Sequence, residues 1–179
     1  MPRTVPVSVQ EVPGNFETAA LWNAQVKALN DFLTAPPVFW GYATSTQSIV
    51  NANTMTALNL DTEVLDPDGG HSTVTNTSRY TATVPGTYLV FGSVGWSNNN
   101  NGDRRIQISL NGAGVIGSGV SMDPSQAVIH GLVTSAYVTM NGTTDYVEVM
   151  AGHSSTTTPL ATNASGIFSP SMRVLWISR

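Results

Sequence analysis

From Arg79 to Gly112 the chain reads RYTATVPGTYLVFGSVGWSNNNNGDRRIQISLNG, and its apolar positions fall on a two-residue period. Tyr88, Val90, Val94 and Trp96 share one face of the central segment, and Leu89, Phe91 and Ser93 share the other. After an Asn-rich loop, Ile106, Ile108 and Leu110 alternate with Arg105, Gln107 and Ser109, and Asn111-Gly112 is a hairpin turn signal. The pattern predicts three successive strands, the first two parted by a sharp Pro85-Gly86 turn. Further β segments are VFWGYA, TALNLDTEVL, QAVIHGLVTSAYVTM, DYVEVMA and SMRVLWIS, set apart by Gly, Pro, Asn and Ser clusters. Short strands between turn signals predict an all-β, antiparallel sandwich or jelly roll.

Several of these strands are apolar on both faces. Val174 and Trp176 oppose Leu175 and Ile177, just as Tyr88 and Val90 oppose Leu89 and Phe91. One face builds the core and the other needs cover, which in an antiparallel sheet predicts a subunit interface at Leu89, Phe91, Leu175 and Ile177.

The region before Val38 follows a different rule. Residues 1–14 are expected to be extended, because Pro2, Pro6 and Pro13 each block a helix. Residues 15–33, NFETAALWNAQVKALNDFL, switch to helical spacing, with Asn15 placed to cap and Glu17 suited to the first turn. Trp22, Val26, Leu29 and Leu33 form one narrow apolar stripe, and Pro36-Pro37 ends it. A lone helix of this length is marginal in water unless its stripe is covered. The cover expected is another copy of the chain or a docking protein; packing on the chain's own β domain is the alternative. The chain therefore divides into an arm and anchor helix, 1–37, and a head, 38–179.

Composition narrows the function classes. Charged residues make up 10% of the 179, against about 25% in ordinary soluble domains. Ser, Thr and Asn supply about 30%, so the surface is polar but largely uncharged. Seven Lys and Arg against a net charge of −4 give no basic patch, so nucleic acid is not an expected partner. Without cysteine there are no disulfides, thiolate nucleophiles or cysteine-ligated zinc sites. Neither a signal peptide nor a membrane span is evident, so a soluble product made in the cytoplasm is expected, with no membrane partner.

Taken in order, RYTATVPGTYLVFGSVGW, RRIQISLNG, QAVIHGLVTSAYVTMNGTTDYVEVMAG and FSPSMRVLWIS resemble the jelly roll of the complement globular head and tumour necrosis factor superfamily. The preceding TALNLDTEVLDPDGGHSTVTNTSRYTATVPGTY matches that family's strand, acidic loop and aromatic-led strand. The resemblance covers residues 38–179 and implies a compact homotrimer. The leader ETAALWNAQVKALNDFLTAPPVFWGY is similar to that of small fibre-like or minor tail proteins of actinobacterial phages, in which a helix and a Pro-Pro break precede a trimeric β head. No collagen stalk precedes the head, as it does in animal relatives, so the helix would be the stalk or anchor.

Candidate chemistry is sparse. Trp96, Asn98, Asn99, Asn100, Asn101, Asp103 and Arg104 join an aromatic plane, amides and charges in a loop that could hydrogen-bond a sugar while the ring packs on its C–H face. The alternative places Trp96 in the core or an interface and makes the asparagines a flexible turn. Asp61, Glu63, Asp66 and Asp68, with His71, offer hard oxygen ligands beside Gly69-Gly70 and could hold calcium, although no EF-hand loop is present. The alternative is a solvated turn, in which Asp66-Pro67-Asp68-Gly69 simply makes β-turn hydrogen bonds. His130 is expected to be a hydrogen-bonded core or interface residue on the face of Val128 and Leu132. His153 could approach a three-fold axis and hold an ion there.

Gly112–Gly117, GAGVIG, matches the dinucleotide fingerprint in letters, but no helix follows it. Asp103, Asp123, Asp145 and Glu148 each stand singly, so no carboxylate pair for glycan cleavage is expected, and no G-x-S-x-G elbow occurs. Sequons at Asn76, Asn141 and Asn163 are expected by chance in a chain this rich in Asn, Ser and Thr. The combined expectation is a non-enzymatic virion protein: a homotrimeric head attaching to a host glycan, joined through residues 1–37 to another virion protein. A capsid decoration with a structural role only is the alternative, and a glycan-cleaving enzyme a distant one.

Overall fold

The computed structural model describes residues 3–10, 12, 14, 16, 18–50, 52–125 and 127–179. Two antiparallel sheets face each other across one core. The first is centred on β6 (Pro85–Trp96), which pairs along its whole length with β10 (His130–Asn141). On its other edge β6 pairs with β13 (Ser171–Ser178) and β12 (Leu160–Asn163). Outside β13 lie β1 (Val38–Tyr42) and then β4 (Thr62–Leu65), while β2 (Ser48–Ile49) pairs with β12. The second sheet is built on β7 (Arg104–Leu110) and β11 (Tyr146–His153). There β3 (Thr56–Ala57) and β5 (Arg79–Thr81) pair with β11, and β8 (Ala113–Gly114) and β9 (Val120–Met122) with β7. This is the expected all-β antiparallel sandwich of jelly-roll type.

Alternation sets the core. Tyr88, Val90, Val94 and Trp96 of β6, with Phe39, Leu132, Met172 and Val174, point inward to meet Ile106, Ile108, Val147 and Val149 of the second sheet. Gly92 lets the sheets close up: a Cβ there would lie 2.8 Å from a Val149 methyl. Asn111 and Gly112 both take positive φ, 52° and 82°, in the β7–β8 hairpin, as their sequence predicted.

Two strand boundaries differ from expectation. Pro85-Gly86 is no turn but the start of β6. The chain leaves the second sheet after β5 and crosses to the first through Ala82–Val84, with Ala82 and Val84 buried. Gly86 is needed there for a different reason, since a Cβ would come within 2.4 Å of the Ser178 carbonyl oxygen and the Trp176 indole nitrogen. TALNLDTEVL likewise splits into β3 and β4 on opposite sheets, and buried Leu58 and Leu60 mark the crossing.

The helix is shorter and interrupted. It runs as α1 (Ala19–Trp22), a π turn (Asn23–Lys27) and α2 (Ala28–Thr34), capped by Thr18, whose Oγ1 accepts from the Leu21 N–H at 3.2 Å. Pro2, Pro13, Asn15 and Glu17, read above as helix blockers, cap and first-turn residue, lie outside the described residues. The wide π turn resets the helical phase, so Trp22, Val26, Leu29 and Leu33 no longer form one buried stripe. Trp22 and Leu33 are exposed, Val26 and Leu29 half-buried, and the residue buried on the head is Phe32. Its ring meets Trp176 edge-on. Among the described residues, no helix is long and apolar enough to cross a membrane.

Candidate functional site

The register of the first sheet brings its outward residues into rows. Tyr137, Leu89, Leu175 and Val38 stand opposite one another across β10, β6, β13 and β1. In the next row are Ser135, Phe91, Arg173 and Trp40, and in the one after it Val133, Ser93, Ser171 and Tyr42. Val133 is 72% exposed, Tyr137 66% and Phe91 43%. Leu175, Ile177 and Trp40 are open as well, and the Arg173 guanidinium lies 4.9 Å from the centre of the Trp40 ring. The result is a largely apolar surface, interrupted by Ser135, by Arg173 and by the Ser93–Ser171 hydroxyl pair, on a chain with few charges. Leu89, Phe91, Leu175 and Ile177 were named from sequence; Tyr137, Val133 and Trp40 were not. Their signal was present in GLVTSAYVTM, where Val133 and Tyr137 oppose Leu132 and Val138.

The Asn-rich loop is built from the inside. Arg104 is 1% exposed, and its guanidinium donates to the carbonyl oxygens of Asn99, Asn101, Gly102 and Asp103 at 2.9–3.2 Å. It also lies 5.8 Å from the Trp96 ring, and Trp96 is fully buried. Burial pulls this guanidinium below its ordinary pKa, with Asp103 opposing. Trp96 lies in the core, as the alternative reading had it, and the expectation that Trp96 and Arg104 form an exposed sugar-binding surface is corrected: both are interior groups that shape the loop. Nor is the loop merely flexible. Asn101 Oδ1 accepts from the Thr156 N–H at 2.7 Å, and Asn99 Oδ1 from the Asn101 N–H at 2.8 Å. Asn98 and Asn100 remain exposed. Asp103 accepts from Arg105 Nε at 2.6 Å and Ser121 Oγ at 3.0 Å. Burial would raise the Asp103 carboxyl, but hydrogen bonding to Ser154, Arg105 and Ser121 outweighs it and holds the group at about 2.

The proposed calcium ligands are separated by their partners. Asp61 accepts from the Thr44 N–H and hydroxyl at 2.8 and 2.9 Å. Glu63 pairs with His71 Nδ1 at 2.8 Å, while Asp66 accepts from the N–H groups of Gly70 and His71 at 3.1 and 2.9 Å. Asp68 holds Arg3 in a two-pronged ion pair at 2.8 and 2.6 Å. Among the described residues no three His, Asp or Glu come together as a metal site requires. His153 is fully buried with Nε2 3.0 Å from the Ile49 carbonyl oxygen, so it does not reach the surface that an axial ion site would need. His130 Nδ1 contacts the Met122 sulfur at 3.0 Å; it shares its inward direction with Leu132, whereas Val128 lies outside the strand and is exposed. GAGVIG is the hairpin itself and the loop after it, with Val115 N–H donating to the Ile108 carbonyl at 2.9 Å.

Sequence reasoning missed one concavity. A polar cleft of about 430 Å³ opens between the 69–76 loop and the start of β11, where Arg79 and Tyr146 meet. The Arg79 guanidinium lies 4.1 Å from the centre of the Tyr146 ring, and its Nε donates to Glu148 at 3.2 Å. Gly70 makes the floor possible, since a Cβ there would lie 2.5 Å from the Tyr80 ring and 2.7 Å from the Thr81 carbonyl oxygen.

Neither a protein-family model nor a curated protein sequence matches the chain. Solved structures do. The globular domain of zebrafish complement 1qA protein superposes with a TM-score of 0.58 at 14% identity, covering 80% of this chain and 98% of that one. Murine APRIL, crystallised at pH 5.0, superposes with a TM-score of 0.54 at 10% identity, covering 78% and 98%. At these identities the likeness is one of fold, and it agrees with the jelly roll expected from sequence.

Proposed function

We propose that the chain is a non-enzymatic binding and structural module that works as a homotrimer. The observation that carries this is the apolar face running across β10, β6, β13 and β1. Exposed apolar side chains gathered on one face in this way mark an interaction site, and here they lie on the sheet whose other side is already the core. A trimer is also what the superfamily resemblance implies. Light scattering on the full chain tests it: a mass three times that of the 18.9 kDa chain is expected, and a monomer overturns the reading.

The finer proposal is that the module belongs to a phage virion, in a minor tail or fibre role, and attaches to a host-surface glycan. Support comes from the likeness of the leader to phage fibre leaders, from the absence of cysteine, and from the exposed Trp22 and Leu33, which suit docking on a neighbouring virion protein. Three identical heads would strengthen weak single-site attachment. Binding of the labelled trimer to candidate host cells, competed by cell-wall glycan, is the test. A folded trimer that binds no cells would overturn attachment in favour of capsid decoration.

A further inference from the structure

Arg79 is fixed from two sides and left half used. Tyr146 stacks beneath its guanidinium, and Glu148 takes its Nε proton. Glu148 is buried and also accepts from the Ser78 hydroxyl at 2.8 Å, so the carboxylate cannot swing away without losing both bonds. Nη1 and Nη2 have no partner among the described residues, and Arg79 lines the cleft. The walls add hydroxyls and an amide: Thr75, Thr81, Thr144 and the exposed Asn76, whose side chain has no hydrogen-bond partner among the described residues. Asn76 holds a positive φ of 51° while its carbonyl accepts from the Arg79 N–H at 2.9 Å, so one tight turn sets both residues at the rim.

Charge and polarity select the ligand class. A divalent cation is disfavoured, because the nearby carboxylates of Glu63, Asp66 and Asp68 are each turned to His71, to backbone N–H groups or to Arg3. A phosphate would meet one guanidinium already balanced by a buried carboxylate. An apolar ligand would bury unpaired donors at a cost. A hydroxyl-rich ring satisfies them, and the volume falls within the ~300–1,000 Å³ range of small-molecule sites. We infer that the cleft between the 69–76 loop and β11 is a saccharide-binding site, in which the free edge of Arg79 donates to ring oxygens and the threonines and Asn76 complete the contacts. This rests on the glycan-attachment reading and moves the glycan contact away from the Asn98–Asn101 loop.

The test is saturation-transfer NMR on the full chain with glucose, galactose, N-acetylglucosamine and glucuronate. At least one is expected to bind and to move the Arg79 Nε–H resonance. Two variants locate the contact. R79M removes the donor edge but also frees Glu148, so T144W, on an exposed wall residue, blocks the cleft without touching that pair. At least a ten-fold loss in both supports the site. A saccharide that binds wild type and T144W equally overturns this inference and leaves glycan attachment standing. No binding by wild type overturns both.

Discussion

Phe32 meets Trp176 edge-to-face, ring centroids 4.8 Å apart and planes at 86°, and this contact seats the helix on the sandwich. Arg3 joins it, with its guanidinium 5.9 Å from the Phe32 ring and bonded to Asp68 and to the Ala35 carbonyl. Phe32→Ala should therefore destabilise the protein by about 2–3 kcal/mol. Urea unfolding measures the change, and limited proteolysis should show earlier cleavage within 19–34. An unchanged midpoint would mean that the helix is not held by this ring.

The apolar face makes a prediction about assembly. Phe91→Glu adds a charge at the middle of three outward rows while leaving the inward residues of β6 untouched. Association should weaken at least about 100-fold, since a desolvated unpaired charge in an interface core costs several kcal/mol. Light scattering should then report a folded monomer at micromolar concentration. Thr156→Glu, on an exposed loop away from this face, should leave the mass unchanged.

Arg104 tests the interior reading of the Asn-rich loop. Arg104→Met should leave the carbonyls of Asn99, Asn101, Gly102 and Asp103 without their donor and cost about 3 kcal/mol. Amide exchange across 98–103 should accelerate more than exchange in β10. If saccharide binding is lost while the loop stays protected, Arg104 is a ligand contact after all.

Asp103 gives a pH dependence with a definite sign. Its folded pKa of about 2 lies below the ~3.9 of an unfolded aspartate, so its contribution is complete above pH 4–5. That contribution fades as the pH falls through 4 toward 2. Asp103→Asn should cost about 1 kcal/mol at pH 7 once solvent screening is allowed for. The difference from wild type should shrink as the pH falls below 4 and vanish only below pH 2, where both states are protonated; a constant difference across that range would rule out the carboxylate as its source.

Strand alternation carried most of the fold in advance, because each long strand has its core residues on one parity. Tyr88, Val90, Val174 and Ile108 are inward as their neighbours' polarity implied. Parity does not say where a strand changes sheet, which is why TALNLDTEVL reads as one strand and Pro85-Gly86 as a turn. The helix failed for a related reason: spacing assumes one pitch, and the Asn23–Lys27 π turn breaks it. The short β12 has no apolar run to announce it. Arg79 and Tyr146 lie 67 positions apart and meet only because β5 and β11 are neighbours, pairing Arg79 with Glu148. Their Asn-rich setting also made Trp96 and Arg104 look like surface chemistry, whereas both are buried and the cation is wrapped in backbone carbonyls.

The place of β13 sets a timetable for synthesis. This strand follows every other strand in the sequence, yet lies between β1 and β6. Until residues 171–178 leave the ribosome, β1 has only β4 beside it, β6 has no bridge to that pair, and the outward rows stand as two disconnected halves. If this face is the trimer contact proposed above, a chain that lacks residues 171–178 holds no complete contact surface, so association would wait on the strand that joins the halves.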